Sequence, residues 1–74
     1  MRVTAAPTRR AIGARLRAAR KKRGLSIRLL ACDSGVSLAT ISKVENGRQD
    51  TGFANLIALC QTLGVSADHV LGLS

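Results

Sequence analysis

The sequence predicts an all-α domain of five short helices, and three observations carry that prediction. Apolar residues recur three and four positions apart in successive segments, as helices burying one face require. No stretch sustains the period-two alternation of a half-buried strand. Glycine recurs where segments end, where a backbone at positive φ closes a helix cheaply.

Residues 1–7, with no apolar pattern, read as a flexible N-terminal arm, and 8–74 as one domain. Thr8 caps a first helix running through Arg23, with Ile12, Leu16 and Ala19 on one face and Gly24 as its stop. Ser26 opens a second helix, Ile27 to Ser34, with Leu30 and Ala31 as its core residues. After the break at Gly35-Val36, Ser37 caps a third, Leu38 to Glu45, whose buried pair is Ile41 and Val44. Asn46-Gly47 ends it, both residues tolerating the left-handed conformation, and a polar loop follows from Arg48 to Gly52. The fourth helix, Phe53 to Leu63, carries Phe53, Leu56, Ile57, Leu59, Cys60 and Leu63, a broad apolar stripe suited to the centre of a bundle. Gly64 ends it, and Ser66 caps a short fifth helix from Ala67 to about Leu71.

Seventy-four residues make one small core. Cys32 and Cys60 read as reduced thiols packed like small apolar residues in a cytosolic protein, since a secreted scaffold of this size is normally Cys-dense. With a single His, they also fall short of a four-ligand zinc site. The formal net charge is +8, and every Lys and Arg except Lys43 and Arg48 precedes the first acidic residue, Asp33. Such asymmetry points to a polyanionic partner, nucleic acid or an anionic membrane. No apolar run reaches the roughly 18 to 20 residues that span a bilayer. The expected location is cytoplasmic, and nucleoid-associated when bound to DNA. No nucleophile with a nearby base and no phosphate-binding glycine loop stands out, so neither enzyme, cofactor nor small-molecule ligand is expected.

The informative segment runs from Ser26 to Gly47. Two short helices meet at a Gly-containing turn, the sequence form of a helix-turn-helix, which presents its second helix to the DNA major groove. Ala31 is small enough for the helices to approach, Gly35 permits the turn, and Val36 plugs the angle between them. Ile41 and Val44 anchor the third helix, leaving Leu38, Ala39, Thr40, Ser42 and Lys43 outward.

These motifs resemble the Cro/C1-type, or Xre-like, family of transcriptional regulators, which includes phage repressor DNA-binding domains of the lambda-repressor-like fold. The matching pieces are Ile12-Gly-Ala-Arg-Leu-Arg17, Arg20 with Gly24-Leu-Ser26, Leu30-Ala31, Gly35-Val-Ser37, Thr40-Ile-Ser-Lys-Val-Glu-Asn-Gly47, and Leu63-Gly-Val-Ser66 leading to Val70-Leu71. The resemblance implies a bacterial or phage-encoded repressor binding double-stranded DNA as a homodimer on a two-fold operator. It implies base contacts from Ser37, Leu38, Ala39, Thr40 and Lys43, and phosphate contacts from Ser26, Ile27, Arg28, Ser42, Asn46 and Arg48. It also implies an ion pair between Arg20 and Glu45. The helix dipole supports that pair, because a carboxylate at a helix C-terminus is disfavoured unless a cation meets it.

Two departures from the family pattern bear on recognition. Ile27 stands where relatives often carry a phosphate-holding Gln, leaving the backbone N–H of the helix start to do that work. Leu38 and Ala39 stand where polar base readers are common, and apolar groups in the major groove meet only the thymine methyl. Lys43 is then the candidate for guanine and Thr40 for a weaker contact. Ile27 and Leu38 make an apolar pair on the face expected to meet DNA. The loop Asp50-Thr51-Gly52 lacks the Pro common in relatives, which bears on its path. His69, Leu71 and Leu73 offer surface for a dimer contact. The competing readings are an antitoxin-like or anti-regulator interaction module that autoregulates its promoter, and a basic first helix acting on anionic membranes.

Overall fold

The computed structural model describes residues 8–73. The N-terminal arm, with Arg2, lies outside the described residues. Five helices follow one another: α1 Arg9–Lys22, α2 Ile27–Ser34, α3 Leu38–Glu45, α4 Phe53–Leu63 and α5 Ala67–Leu71. Their boundaries match those read from the sequence, except that α1 stops one residue early. Arg23 is its cap, donating its N–H to the carbonyls of Ala19 and Arg20, and the Leu25 N–H closes the end on the Arg20 carbonyl at 3.1 Å.

Side-chain caps set four of the starts. The hydroxyls of Thr8, Ser26, Ser37 and Ser66 accept the N–H of Ala11, Leu29, Thr40 and His69 at 3.0 to 3.1 Å. Each such bond satisfies one of the unpaired donors at a helix start and is worth about 1 kcal/mol. α4 starts on Gly52 without one. Gly35, at φ 77°, turns the chain between α2 and α3, and the Ser34 hydroxyl accepts the Val36 N–H at 3.1 Å. Asn46 does not adopt the left-handed conformation (its φ is −93°); Gly47, at φ 70°, takes that role alone.

The core gathers Leu16 of α1, Leu30 of α2, Val36, Ile41 and Val44 of α3, Leu56, Leu59, Cys60 and Leu63 of α4, and Val70 of α5. Three sequence expectations need correction. Phe53 is 80% exposed and Ile57 is exposed as well. The buried arc of α4 is the narrower set Leu56, Leu59, Cys60 and Leu63. At about 100° per residue, Phe53 and Ile57 lie on its edge, and Phe53 has no preceding helical turn to shelter it. Cys60 is buried but Cys32 is exposed, and both thiols are free. Ile12 and Ala31 are partly buried at the margin.

α1 packs on α3 through a residue that periodicity did not flag. Gly13 is buried inside α1, where a Cβ would overlap the Val44 carbonyl oxygen and stand 3.0 Å from that of Glu45. A glycine in a helix interior costs about 1 kcal/mol relative to alanine. Here it lets the end of α3 lie directly on α1.

Candidate nucleic-acid interface

Ile41 and Val44 are each 1% exposed, so one side of α3 is locked into the core. The geometry of an eight-residue helix then dictates the rest. Leu38, Ala39 and Lys43 point to solvent, and Thr40 and Ser42 are half-buried along the flanks. Leu38 is 46% exposed, and Leu29 of α2 is 51% exposed. Ser37 is exposed but occupied. Its hydroxyl accepts the Thr40 N–H and donates to Thr40 Oγ1 at 2.8 Å, so the two side chains form one rigid unit at the helix start. The Thr40 O–H remains able to donate outward.

Ser26 and Arg28 at the start of α2 are exposed, whereas Ile27 turns partly into the core. The apolar Ile27–Leu38 pair read from the sequence is therefore unequal, with Ile27 largely a packing residue and Leu38 the exposed member. Beyond α3, the Asn46 side-chain amide donates to the Ser42 carbonyl at 2.8 Å, and the Arg48 N–H donates to the Lys43 carbonyl at 2.9 Å. Asn46 thus closes the helix end while one amide N–H and its oxygen stay available. The Arg48 side chain is exposed.

Arg20 and Glu45 meet as expected. Arg20 Nε lies 2.7 Å from Glu45 Oε2 and Nη2 lies 2.9 Å from Oε1, a two-pronged pair in which both residues are 8% exposed. Arg20 Nη1 also donates to the Leu25 carbonyl at 2.9 Å. The hydrogen bonds to Glu45 raise the guanidinium pKa above its ordinary value, against the opposing effect of burial. The pair ties α1 to the last turn of α3 and so fixes the angle at which α3 projects.

The basic first helix divides into two sets. Arg15 donates to the Val70 carbonyl at 3.1 Å and Arg23 to the Leu63 carbonyl at 3.4 Å, so they cap the C-terminal ends of α5 and α4, where cations are favoured. Arg20 is buried and Arg15 half-buried, whereas Arg23 stays exposed while it reaches its carbonyl. The sequence held a signal for this: Arg20 and Arg23 fall on the same arc of α1 as Leu16 and Ala19. Arg10, Arg17 and Lys21 lie on another arc. They line one side of an open groove of about 740 Å³, opposite Glu45, Asn46 and Gly47.

Two short helices joined at a left-handed glycine, with the second pinned from behind and exposed in front, define a helix-turn-helix domain of the DNA-binding class. The Helix-turn-helix (HTH_3) family matches residues 16–70, and the chain belongs to that family, the Cro/C1-type transcriptional regulators. Among solved structures, it is similar to the P22 c2 repressor protein in complex with a synthetic operator, at 35% identity over 85% of this chain and 96% of that one, with a TM-score of 0.79. The clp gene regulator ClgR of Corynebacterium glutamicum is 38% identical over 88% of this chain and 84% of its own, at 0.80. The restriction-modification controller protein C.AhdI of Aeromonas hydrophila is 29% identical over 84% and 94%, at 0.80. An HTH-type transcriptional regulator of Bacillus subtilis, RghRB, is 51% identical over 39 residues, a match spanning 28% of that longer protein. Among the described residues, no helix is long and apolar enough to cross a membrane.

Proposed function

We propose that this chain is a sequence-specific repressor that inserts α3 into the major groove of a two-fold operator, binding as a homodimer. One observation carries the reading: burial of Ile41 and Val44 behind α3 leaves Leu38, Ala39 and Lys43 facing outward from a rigid support. Ser37, Leu38, Ala39, Thr40 and Lys43 are the base-facing set. Lys43 is the one long cation among them and suits guanine O6 and N7, while Leu38 and Ala39 suit thymine methyls. Ser26, Ile27, Arg28, Ser42, Asn46 and Arg48 flank that helix at both ends and hold phosphates, Ile27 through its backbone N–H at the start of α2. Likeness to a repressor solved on its operator supports the mode of docking.

A single short helix reads only a few base pairs, so specificity calls for two half-sites about one helical turn apart. His69 and Leu73 are exposed and Leu71 is half-buried, which makes the α5 end the proposed dimer contact. Selection of bound duplexes from a random pool tests the whole reading. A recovered motif with a dyad supports it, and recovery of no common sequence refutes it. On the recovered duplex, Lys43→Ala relaxes preference at one base position, whereas Arg48→Ala weakens all duplexes alike.

A further inference from the structure

The groove between α1 and the end of α3 is not accounted for by the helix-turn-helix. Arg10, Arg17 and Lys21 are seven and four residues apart, which brings them within roughly 40° of one another around α1 and spreads them over about 16 Å along its axis. All three are exposed, and among the described residues the ion pairs are Arg9–Asp50 and Arg20–Glu45, so none of the three is matched by a carboxylate. Glu45 lines the opposite wall, but both its oxygens are taken by Arg20. The groove is therefore electropositive along its length. Between the cations stand Ala14 and Ala18, whose small side chains leave room for a chain to lie close.

We propose that this groove holds the sugar-phosphate backbone of DNA flanking the half-site, extending the contact past the end of α3 along α1. The inference rests on the major-groove reading above. Its geometry favours a polyanion over a compact anion, because the cations form a row rather than converge on one point. Continuity favours DNA. Asn46 belongs both to the groove wall and to the phosphate-holding segment after α3, so a strand held there has α1 directly ahead of it. The lining carries no aromatic or bulky aliphatic anchor of the kind a membrane interface uses, and the chain's one aromatic residue, Phe53, is on α4.

The test uses the duplex recovered by selection, once with about one helical turn of flanking sequence on each side and once trimmed to the half-sites. Affinity is measured across a salt series for the full chain, for Arg17→Gln/Lys21→Gln, and for the charge-matched control Arg9→Gln/Lys22→Gln. With each neutralised phosphate adding about −0.9 to the log–log slope, the groove variant flattens the slope by about 2 on the flanked duplex and leaves it unaltered on the trimmed one. The control shows no such dependence on the flanks. Equal effects of the groove variant on both duplexes, or an equal flank dependence in the control, overturn the proposal in favour of a general electrostatic field. Loss of binding to phosphatidylserine vesicles with the duplex slope intact overturns it in favour of a membrane. If the unaltered chain selects no duplex, the major-groove reading itself fails and this proposal falls with it, a result read before any variant is made.

Discussion

The Arg20–Glu45 pair yields a prediction whose size follows from its geometry. Two hydrogen bonds of 2.7 and 2.9 Å join groups that are each 8% exposed, and Arg20 makes a third bond to the Leu25 carbonyl. Glu45→Ala removes the carboxylate and leaves a guanidinium buried with only that carbonyl for company. An uncompensated charge of this kind costs about 3 to 5 kcal/mol. A domain of this size has a total stability of only about 5 to 10 kcal/mol, so the variant loses a large part of it. The midpoint of thermal unfolding falls by at least about 12 °C, taking about 4 °C per kcal/mol as the lower bound for so small a domain. The double variant Arg20→Met/Glu45→Leu replaces both ions by apolar groups and lies much closer to the parent, because neither charge is left stranded. Urea denaturation of the parent, Arg20→Met, Glu45→Leu and the double variant closes the cycle. If Glu45→Ala costs less than about 1 kcal/mol, the value of a solvent-exposed pair, the burial argument is wrong. Additive single losses in the double variant refute it equally.

Three further outcomes follow from particular contacts. Gly13→Ala destabilises the domain by about 1 to 3 kcal/mol despite the higher helix propensity of alanine, because the new methyl meets the backbone carbonyl of Val44; a rise in unfolding temperature would sink this account of the α1–α3 crossing. Replacing thymine by uracil at the base pair facing Leu38 weakens operator binding by roughly fourfold, about the 0.8 kcal/mol of one buried methyl group, and Leu38→Ala abolishes the difference between the two bases; binding assays indifferent to the methyl group would remove Leu38 from readout. Burial pushes the Cys60 thiol pKa up, so it resists alkylation in the native chain while exposed Cys32 reacts, and two thiols are titrated only after denaturation. The unfolded thiol ionises at lower pH than the folded one. The unfolded state therefore binds fewer protons there, and stability falls as pH rises through the ordinary thiol range.

How much of this was legible in the sequence depends on what kind of interaction decided each feature. Helix ends were readable because they are local: Ser26, Ser37 and Ser66 satisfy donors three residues away, whatever the rest of the chain does. The outward face of α3 was readable because Ile41 and Val44 leave a short helix only one other side. Phe53 was misread because hydropathy reports what a residue could bury, not whether a neighbour arrives to cover it. Cys32 failed for the same reason. Gly13 carried no periodic signal, since its role depends on a carbonyl more than thirty residues away. Arg15 and Arg23 were counted with the polyanion-facing charge; the arc Arg23 shares with Leu16 and Ala19 hinted otherwise, but which helix ends lie beside the two arginines only the fold reveals.

That last division changes what the +8 charge means. Arg15 and Arg20 meet a carbonyl or a carboxylate at close range and partly out of water, where salt screens weakly. Arg10, Arg17, Lys21, Arg28, Lys43 and Arg48 are exposed, and their attraction for a polyanion decays within a Debye length of about 8 to 10 Å. One population of cations therefore stabilises the fold while another awaits a partner, though members of both alternate along α1. Salt separates them. Raising ionic strength strips the second population of its work and leaves the first nearly untouched, so duplex affinity collapses over a range in which the unfolding midpoint hardly moves. A domain whose stability fell in step with its affinity would have its arginines distributed otherwise.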